Sequence, residues 1–218
     1  MKLAAERQQI VDYGLRLLQA GLTTGSGGNL SCLCREQELI AIGPSGIAYT
    51  DVRPEDVVIV DRQGRRVEGR YQPSSELGFH LALYDRRPDI AAVVHTHSVY
   101  ATTLACLHWE LPAVHYLVGY SGDRVPLAPY ATFGTAELAR AVADSIGGYN
   151  AVLLANHGLV AVGTQLERAF NVAEEIEFVA RLYYQCRCAG TPVLVAEDEM
   201  ARVLERFKSY GQPTLPSA

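Results

Sequence analysis

Residues 91–102 read "AAVVHTHSVYAT". Four apolar residues, Ala91 to Val94, run into His95 and His97, which spend two of the chain's six histidines one residue apart. The run predicts a buried strand over 89–97, and Ser98 stands where a cap would start a helix over 98–107. Side chains two apart on a strand project to one face, so the two imidazoles converge on one ion. Alternatively, each histidine caps the strand end or hydrogen-bonds in the core, and the spacing alone leaves both readings open.

Outward from this strand, the pattern alternates between the two periods. Residues 4–20 read as an amphipathic helix that ends at the glycine-rich "AGLTTGSGGN". Short strand-like runs follow at "NLSCLC" (29–34), "ELIAI" (38–42) and "DVVIVD" (56–61), joined by turns that suggest antiparallel pairing. "PSSELGFHLALYDRRP" (73–88) reads as a helix capped by serine and stopped by Pro88. "PAVHYLV" (112–118) reads as a strand and "PLAPYATFG" (126–134) as an irregular connection. A helix over 135–147, a strand–turn–strand over 150–163, a long helix over 164–190 and a last helix over 197–211 complete the chain. The expectation is α/β: a single domain over 1–211 with a mostly antiparallel central sheet covered by helices, and a flexible tail over 212–218.

The chain has 218 residues, 49% hydrophobic and 20% charged, with a net charge of −5. That balance argues against nucleic acid or an acidic membrane as partner. No apolar run approaches the ~20 residues of a membrane span, and "MKLAAERQQIVDYG" lacks a signal-peptide pattern, so a cytoplasmic protein is expected. The five cysteines read as reduced thiols. "GSGGN" lacks the spacing of a dinucleotide fingerprint.

A third histidine, His157, ends the apolar run "AVLLANHG". If the two strands are neighbours, three imidazoles meet at one sheet end, the ligand pattern of catalytic zinc with its fourth position open. Glu76, near a helix start, is the nearest carboxylate in kind; Ser74 and Ser75 beside it would suit a phosphate. "GSGGN" and "GPSG" (43–46) are two further stretches whose N–H groups could hold an anion. His80, one turn after Glu76, could serve as a fourth ligand but reads better as a packing residue or a support behind the ligands, His108 reads as a loop residue, and His115 and Tyr116 as strand neighbours facing opposite ways. Glu177 and Arg181, at i and i+4, read as a solvated helix face.

In chain order, "GSGGNLS", "GPSGIAY", "PSSELGFH", "AVVHTHSV", "PAVHYLV", "PYATFGT", "LLANHGL" and "ERFKSYG" resemble the class II sugar-phosphate aldolases of the fuculose-phosphate aldolase type, which share a fold with ribulose-phosphate 4-epimerase. The resemblance runs from about Ile10 to Gly211. It implies that His95, His97 and His157 hold zinc (or Co2+ or Mn2+), with Glu76 as fourth ligand at rest and acid–base during turnover. It places Gly28, Asn29, Ser45, Gly46, Ser74 and Ser75 at the substrate phosphate and Tyr116 at the aldehyde oxygen. Phe133, Phe207 and Tyr210 fall on the aldehyde side. It implies a homotetramer with the site at a subunit interface. The substrate implied is a ketose 1-phosphate cleaved to dihydroxyacetone phosphate and a short aldehyde: L-fuculose 1-phosphate giving L-lactaldehyde, or 5-deoxyribulose or 5-methylthioribulose 1-phosphate. A pentulose-phosphate 4-epimerase and a non-catalytic adducin-like module are the other readings. Ser26 replaces a threonine of the pattern, "ANHG" a double histidine, and "VGYSGDR" a run of small residues. The only lysines, Lys2 and Lys208, lie at the chain ends, which disfavours a Schiff-base aldolase. Glu76 would work best in proton transfer with a pKa raised by burial.

Overall fold

A computed structural model of the chain describes residues 1–208. The strands are β1 (Asn29–Cys34), β2 (Leu39–Ile42), β3 (Val58–Asp61), β4 (Arg66–Glu68), β5 (Ala92–Thr96), β6 (Leu127–Ala128), β7 (Ala151–Leu154) and β8 (Gly158–Gly163). They form one sheet in the order β4-β3-β2-β1-β5-β8-β7-β6. Every neighbouring pair is antiparallel except β6 with β7. The "AVVHT" segment is thus central, hydrogen-bonded to β1 on one side and β8 on the other.

The helices are α1 (Ala4–Gln19), α2 (Leu77–Arg86), α3 (Val99–Cys106), α4 (Ala136–Ile146), α5 (Leu166–Ala189) and α6 (Glu197–Phe207). They cover both faces of the sheet. Strand alternation divides the core: Ala92, Val94, Leu159 and Ala161 pack with α1, α3 and α5, while Val93, Val160 and Val162 pack with α2 and α4. Each of these valines is fully buried, worth roughly 1.5–3 kcal/mol over exposure. His95 has the parity of Val93 and therefore meets α2, its ring edge-on to Phe79 at 5.5 Å.

Three local expectations are corrected. "PAVHYLV" is not a strand: Tyr116–Tyr120 is a 3-10 helix, packed against α5 and α6. Among the described residues it has no strand ladder: the isolated Leu111–Val125 bridge lies beside it, the Ala113 carbonyl accepts from the Val195 N–H at 2.8 Å, and the sheet edge beside β7 is taken by β6. Within the irregular 126–134 connection, Leu127 and Ala128 do make a short strand. The α2 helix starts after the serines; Ser74 Oγ instead accepts from the Glu76 N–H at 3.3 Å. The expected tail, 212–218, lies outside the described residues.

Candidate active site

Two glycines permit the close approach that builds the site. At Gly158, which opens β8, a Cβ would sit 2.3 Å from the Thr96 carbonyl oxygen, so only glycine lets β8 reach the end of β5. At Gly28 a Cβ would sit 2.4 Å from the His95 carbonyl oxygen, and its φ of +69° is the left-handed region glycine favours. These contacts draw the β1 entry, the β5 end and the β7–β8 turn together. The turn is Ala155-Asn156-His157, with Asn156 at φ +54°. Asn156 Oδ1 accepts from His108 Nε2 at 2.7 Å, which ties the turn to the second residue after α3.

His95, His97 and His157 then meet, with ligand-capable atoms all within 4.8 Å of one another. His95 Nδ1–H donates to the Leu159 carbonyl at 2.9 Å, which leaves the Nε2 lone pair facing inward. His95 Nε2 lies 3.0 Å from His97 Nε2. Burial lowers the pKa of His97 to about 4 and of His157 to about 4, so both rings are neutral at pH 7. Neutral imidazoles are the form that binds a metal.

Glu76 closes the cluster. Its Oε2 lies 3.2 Å from His95 Nε2 and its Oε1 3.2 Å from His157 Nε2. Asn29 Nδ2 donates to Oε2 at 2.8 Å, whereas Oε1 is buried with no hydrogen-bond partner. The expectation of a raised Glu76 pKa is corrected. Burial pushes it up, but the surrounding His95, His157 and Asn29 outweigh that and hold it at about 2. Three inward nitrogens and an orphaned buried carboxylate oxygen fit a divalent cation: a buried acceptor without a partner is costly unless something is bound to it. The set His95, His97, His157 and Glu76 matches zinc in donor type.

Beside the cluster lies a cavity of about 380 Å³. Gly28, Asn29, Ser45, Gly46, Ser74, Ser75, Glu76, His97, Phe133 and His157 line it, so the three anion-suited stretches share one wall. The 43–45 and 72–74 segments are held together by Ser45 N–H to Gln72 O and Ser74 N–H to Gly43 O, both at 3.0 Å. Among the described residues no lysine or arginine lines the cavity. An anion there would be held by hydroxyls and backbone N–H groups. Tyr49, Tyr130 and Asn156 also line it and were missed in the sequence; their only signal was membership of the quoted "GPSGIAY", "PYATFGT" and "LLANHGL".

The structure does not bring Tyr116 or Phe207 into this cavity. Tyr116 is exposed, its ring 4.7 Å from that of His115. Phe207 packs on Tyr120 and over Gly119. Tyr210 lies outside the described residues. Glu177 is not a solvated face residue paired with Arg181. Its carboxylate accepts the N–H groups of Tyr100 and Ala101, each at 2.8 Å, and so caps α3, where the Ser98 side chain makes no capping bond. Arg181 lies over the Tyr100 ring at 5.5 Å.

A family model for the class II aldolase and adducin N-terminal domain matches residues 8–184. The chain belongs to that family. Among its class II aldolase relatives, the 5-deoxy-D-ribulose 1-phosphate aldolase of Bacillus thuringiensis serovar kurstaki is 52% identical over 97% of this chain and 100% of the relative. The L-fuculose phosphate aldolase of Escherichia coli is 42% identical over 94% of each chain. A solved L-fuculose 1-phosphate aldolase superposes with a TM-score of 0.93 at 45% identity, covering 95% of this chain and 98% of that one. The α/β sheet expected from the sequence is therefore the class II aldolase fold. No described helix is long and apolar enough to cross a membrane.

Proposed function

We propose that this chain is a metal-dependent aldehyde-lyase that cleaves a ketose 1-phosphate to dihydroxyacetone phosphate and a short aldehyde. The observation that carries the reading is the inward-facing histidine trio with the orphaned Glu76 Oε1, beside a hydroxyl-rich cavity with no lysine or arginine among the described residues that line it. His95, His97 and His157, with Glu76, would hold the cation. When bound, it supplies Lewis-acid stabilisation of the negative charge that builds on substrate oxygens, chemistry that a lysine aldolase obtains from a Schiff base.

The chain's own residues supply the rest. Ser45, Gly46, Ser74, Ser75, Gly28 and Asn29 fix the phosphate and so the register of the carbon chain, which converts binding into orientation. In condensation Glu76, ionised at neutral pH, takes the carbon-bound proton of the three-carbon half; in cleavage Tyr116 takes the C4 hydroxyl proton as the carbon–carbon bond breaks, and Glu76 relays a proton from solvent to the carbon left behind. Tyr130 and Phe133 are largely exposed at the cavity and face the aldehyde half. Tyr116, exposed on its own chain, serves the aldehyde oxygen of a neighbouring copy, and Phe207 and Tyr210 are assigned to the same aldehyde half; this needs an oligomer, which we take to be a cytoplasmic homotetramer.

L-Fuculose 1-phosphate and 5-deoxyribulose 1-phosphate share the ketose phosphate half and differ in the aldehyde. The 52% relative favours testing 5-deoxyribulose 1-phosphate beside L-fuculose 1-phosphate. A coupled assay for dihydroxyacetone phosphate, run with zinc, cobalt or manganese on both esters, 5-methylthioribulose 1-phosphate and ribulose 5-phosphate, tests the proposal. Release of dihydroxyacetone phosphate from at least one ketose 1-phosphate is expected. Interconversion of pentulose phosphates without such release indicates an epimerase and overturns it.

A further inference from the structure

Behind Glu76 runs a chain of buried polar side chains. Asn29 Oδ1 meets His80 Nε2 at 2.5 Å, His80 Nδ1 meets Ser31 Oγ at 2.6 Å, and Ser31 Oγ meets Tyr84 OH at 2.7 Å. Ser31 and His80 are 0% exposed and Tyr84 1%. The His80 ring stacks on Phe79 at 4.6 Å, which fixes its plane. None of Ser31, His80 or Tyr84 lines the cavity.

Satisfaction at both ends gives the chain one direction. Tyr84 OH has no partner but Ser31 among the described residues, so it must donate or stand as a buried orphan donor. Ser31 then donates to His80 Nδ1, and the single ring proton sits on Nε2. His80 Nε2–H donates to Asn29 Oδ1, and the Asn29 amide presents its Nδ2 hydrogens to Glu76. The reverse direction would leave Tyr84 O–H without an acceptor and turn Asn29 Oδ1 toward the Glu76 carboxylate, lone pair against charge.

We propose that Tyr84, Ser31 and His80 are positioning residues that lock the Asn29 amide, pin Glu76 through Oε2 and leave Oε1 as its working oxygen. The proposal rests on Glu76 as the proton-transfer group. An asparagine amide turns over at little steric cost, so its orientation has to be set by its partners. Tyr84 acts three hydrogen bonds away from Asn29, through tautomer choice and not through contact with substrate.

The test uses Ser31→Ala and Tyr84→Phe, with Glu76→Gln as reference. In chelator-treated protein, nitrogen NMR of labelled histidine should show His80 (assigned by its loss in His80→Gln) wholly as the Nε2–H tautomer. Ser31→Ala should show a mixture of tautomers, and Tyr84→Phe, which leaves Ser31 as the single remaining bias on Nδ1, a smaller but detectable share of the Nδ1–H form. With metal restored, Ser31→Ala should lose about tenfold in kcat, the lower end for partners that orient an active group, with KM for the ketose phosphate within about twofold of the parent. A merely structural role lowers the melting temperature and moves neither the tautomer nor kcat relative to KM; that result overturns the proposal, as does an Nδ1–H His80 in the parent protein. If Ser31→Ala fails to fold, Tyr84→Phe alone decides through the same spectrum. Full activity in Glu76→Gln refutes the proton-transfer reading itself, whereas an inactive Glu76→Gln beside unaltered Ser31→Ala and Tyr84→Phe refutes only the positioning chain.

Discussion

Gly158→Ala isolates the geometry on which the proposed metal centre depends. The added Cβ would meet the Thr96 carbonyl oxygen at 2.3 Å, His97 Cδ2 at 3.1 Å and His95 Cε1 at 3.3 Å. The shortest carbon–oxygen contacts tolerated between adjacent strands are ~3.3 Å, so β8 must retreat from β5 by about 1 Å. The obstruction is backbone, which cannot rotate away. Gly158 has no positive φ, so the penalty is one of contact and not of dihedral strain. Overpacking of this kind costs ~1–3 kcal/mol, or roughly 3–10 °C in melting temperature for a domain of this size. The retreat carries His157 with it. Metal–ligand distances tolerate only about ±0.2 Å, so a 1 Å displacement should remove one ligand, and a misplacement of that size costs ~100-fold in rate. Competition against a fluorescent zinc chelator measures affinity, and the aldol assay measures rate. A folded Gly158→Ala that binds zinc and turns over as the parent does would refute the reasoning.

Glu76→Gln keeps a neutral acceptor for Asn29 and should retain metal while losing ~10²–10⁴ in kcat; metal content by mass spectrometry alongside turnover checks it. Acid should destabilise the metal-free protein. His80, His97 and His157 have folded pKa values lowered to about 3, 4 and 4, below the unfolded 6.5, so the unfolded chain binds more protons as pH falls from 6.5 toward 4. Glu76, lowered to about 2, acts in the same sense below 4.5. Fully buried His80 alone gives a slope approaching ~1.4 kcal/mol per pH unit, so urea unfolding at pH 7, 6 and 5 should show falling stability; a flat profile counts against it. Glu177→Ala should cost ~0.5–2 kcal/mol by uncapping α3 and leave the metal affinity alone, read by denaturant unfolding and zinc titration. Cys32, buried and with its thiol pushed up to about 12, should stay unlabelled by maleimide in native protein while Cys106, Cys186 and Cys188 react, counted by intact mass.

Much of the site was legible because its pieces obey local periods. The parity of β5 aims His95 toward α2 and His97 along the same side, and "ANHG" reads as a tight turn between strands. The serine and glycine stretches could be named as candidate anion seats, though only the fold shows them lining one cavity. What stayed hidden is non-local. The apolar run of 112–118 resembles a strand, yet among the described residues no strand lies beside it to pair with, and it coils under α5 and α6. The i,i+4 rule sees only Glu177's own helix, and its carboxylate serves another. Burial of Glu76 was foreseeable from its setting; the imidazoles and the Asn29 amide that reverse its effect come from three other parts of the chain.

The central claim, that these three histidines and Glu76 form a metal centre that performs the cleavage, is tested most directly by titrating metal-stripped protein with Zn2+ while following dihydroxyacetone phosphate release. The account predicts no release at the start and a linear rise to a plateau at one equivalent per chain, with His95→Ala flat throughout. Stripped protein that cleaves at the full rate, or a His95→Ala variant that regains activity with zinc as the parent does, would contradict it.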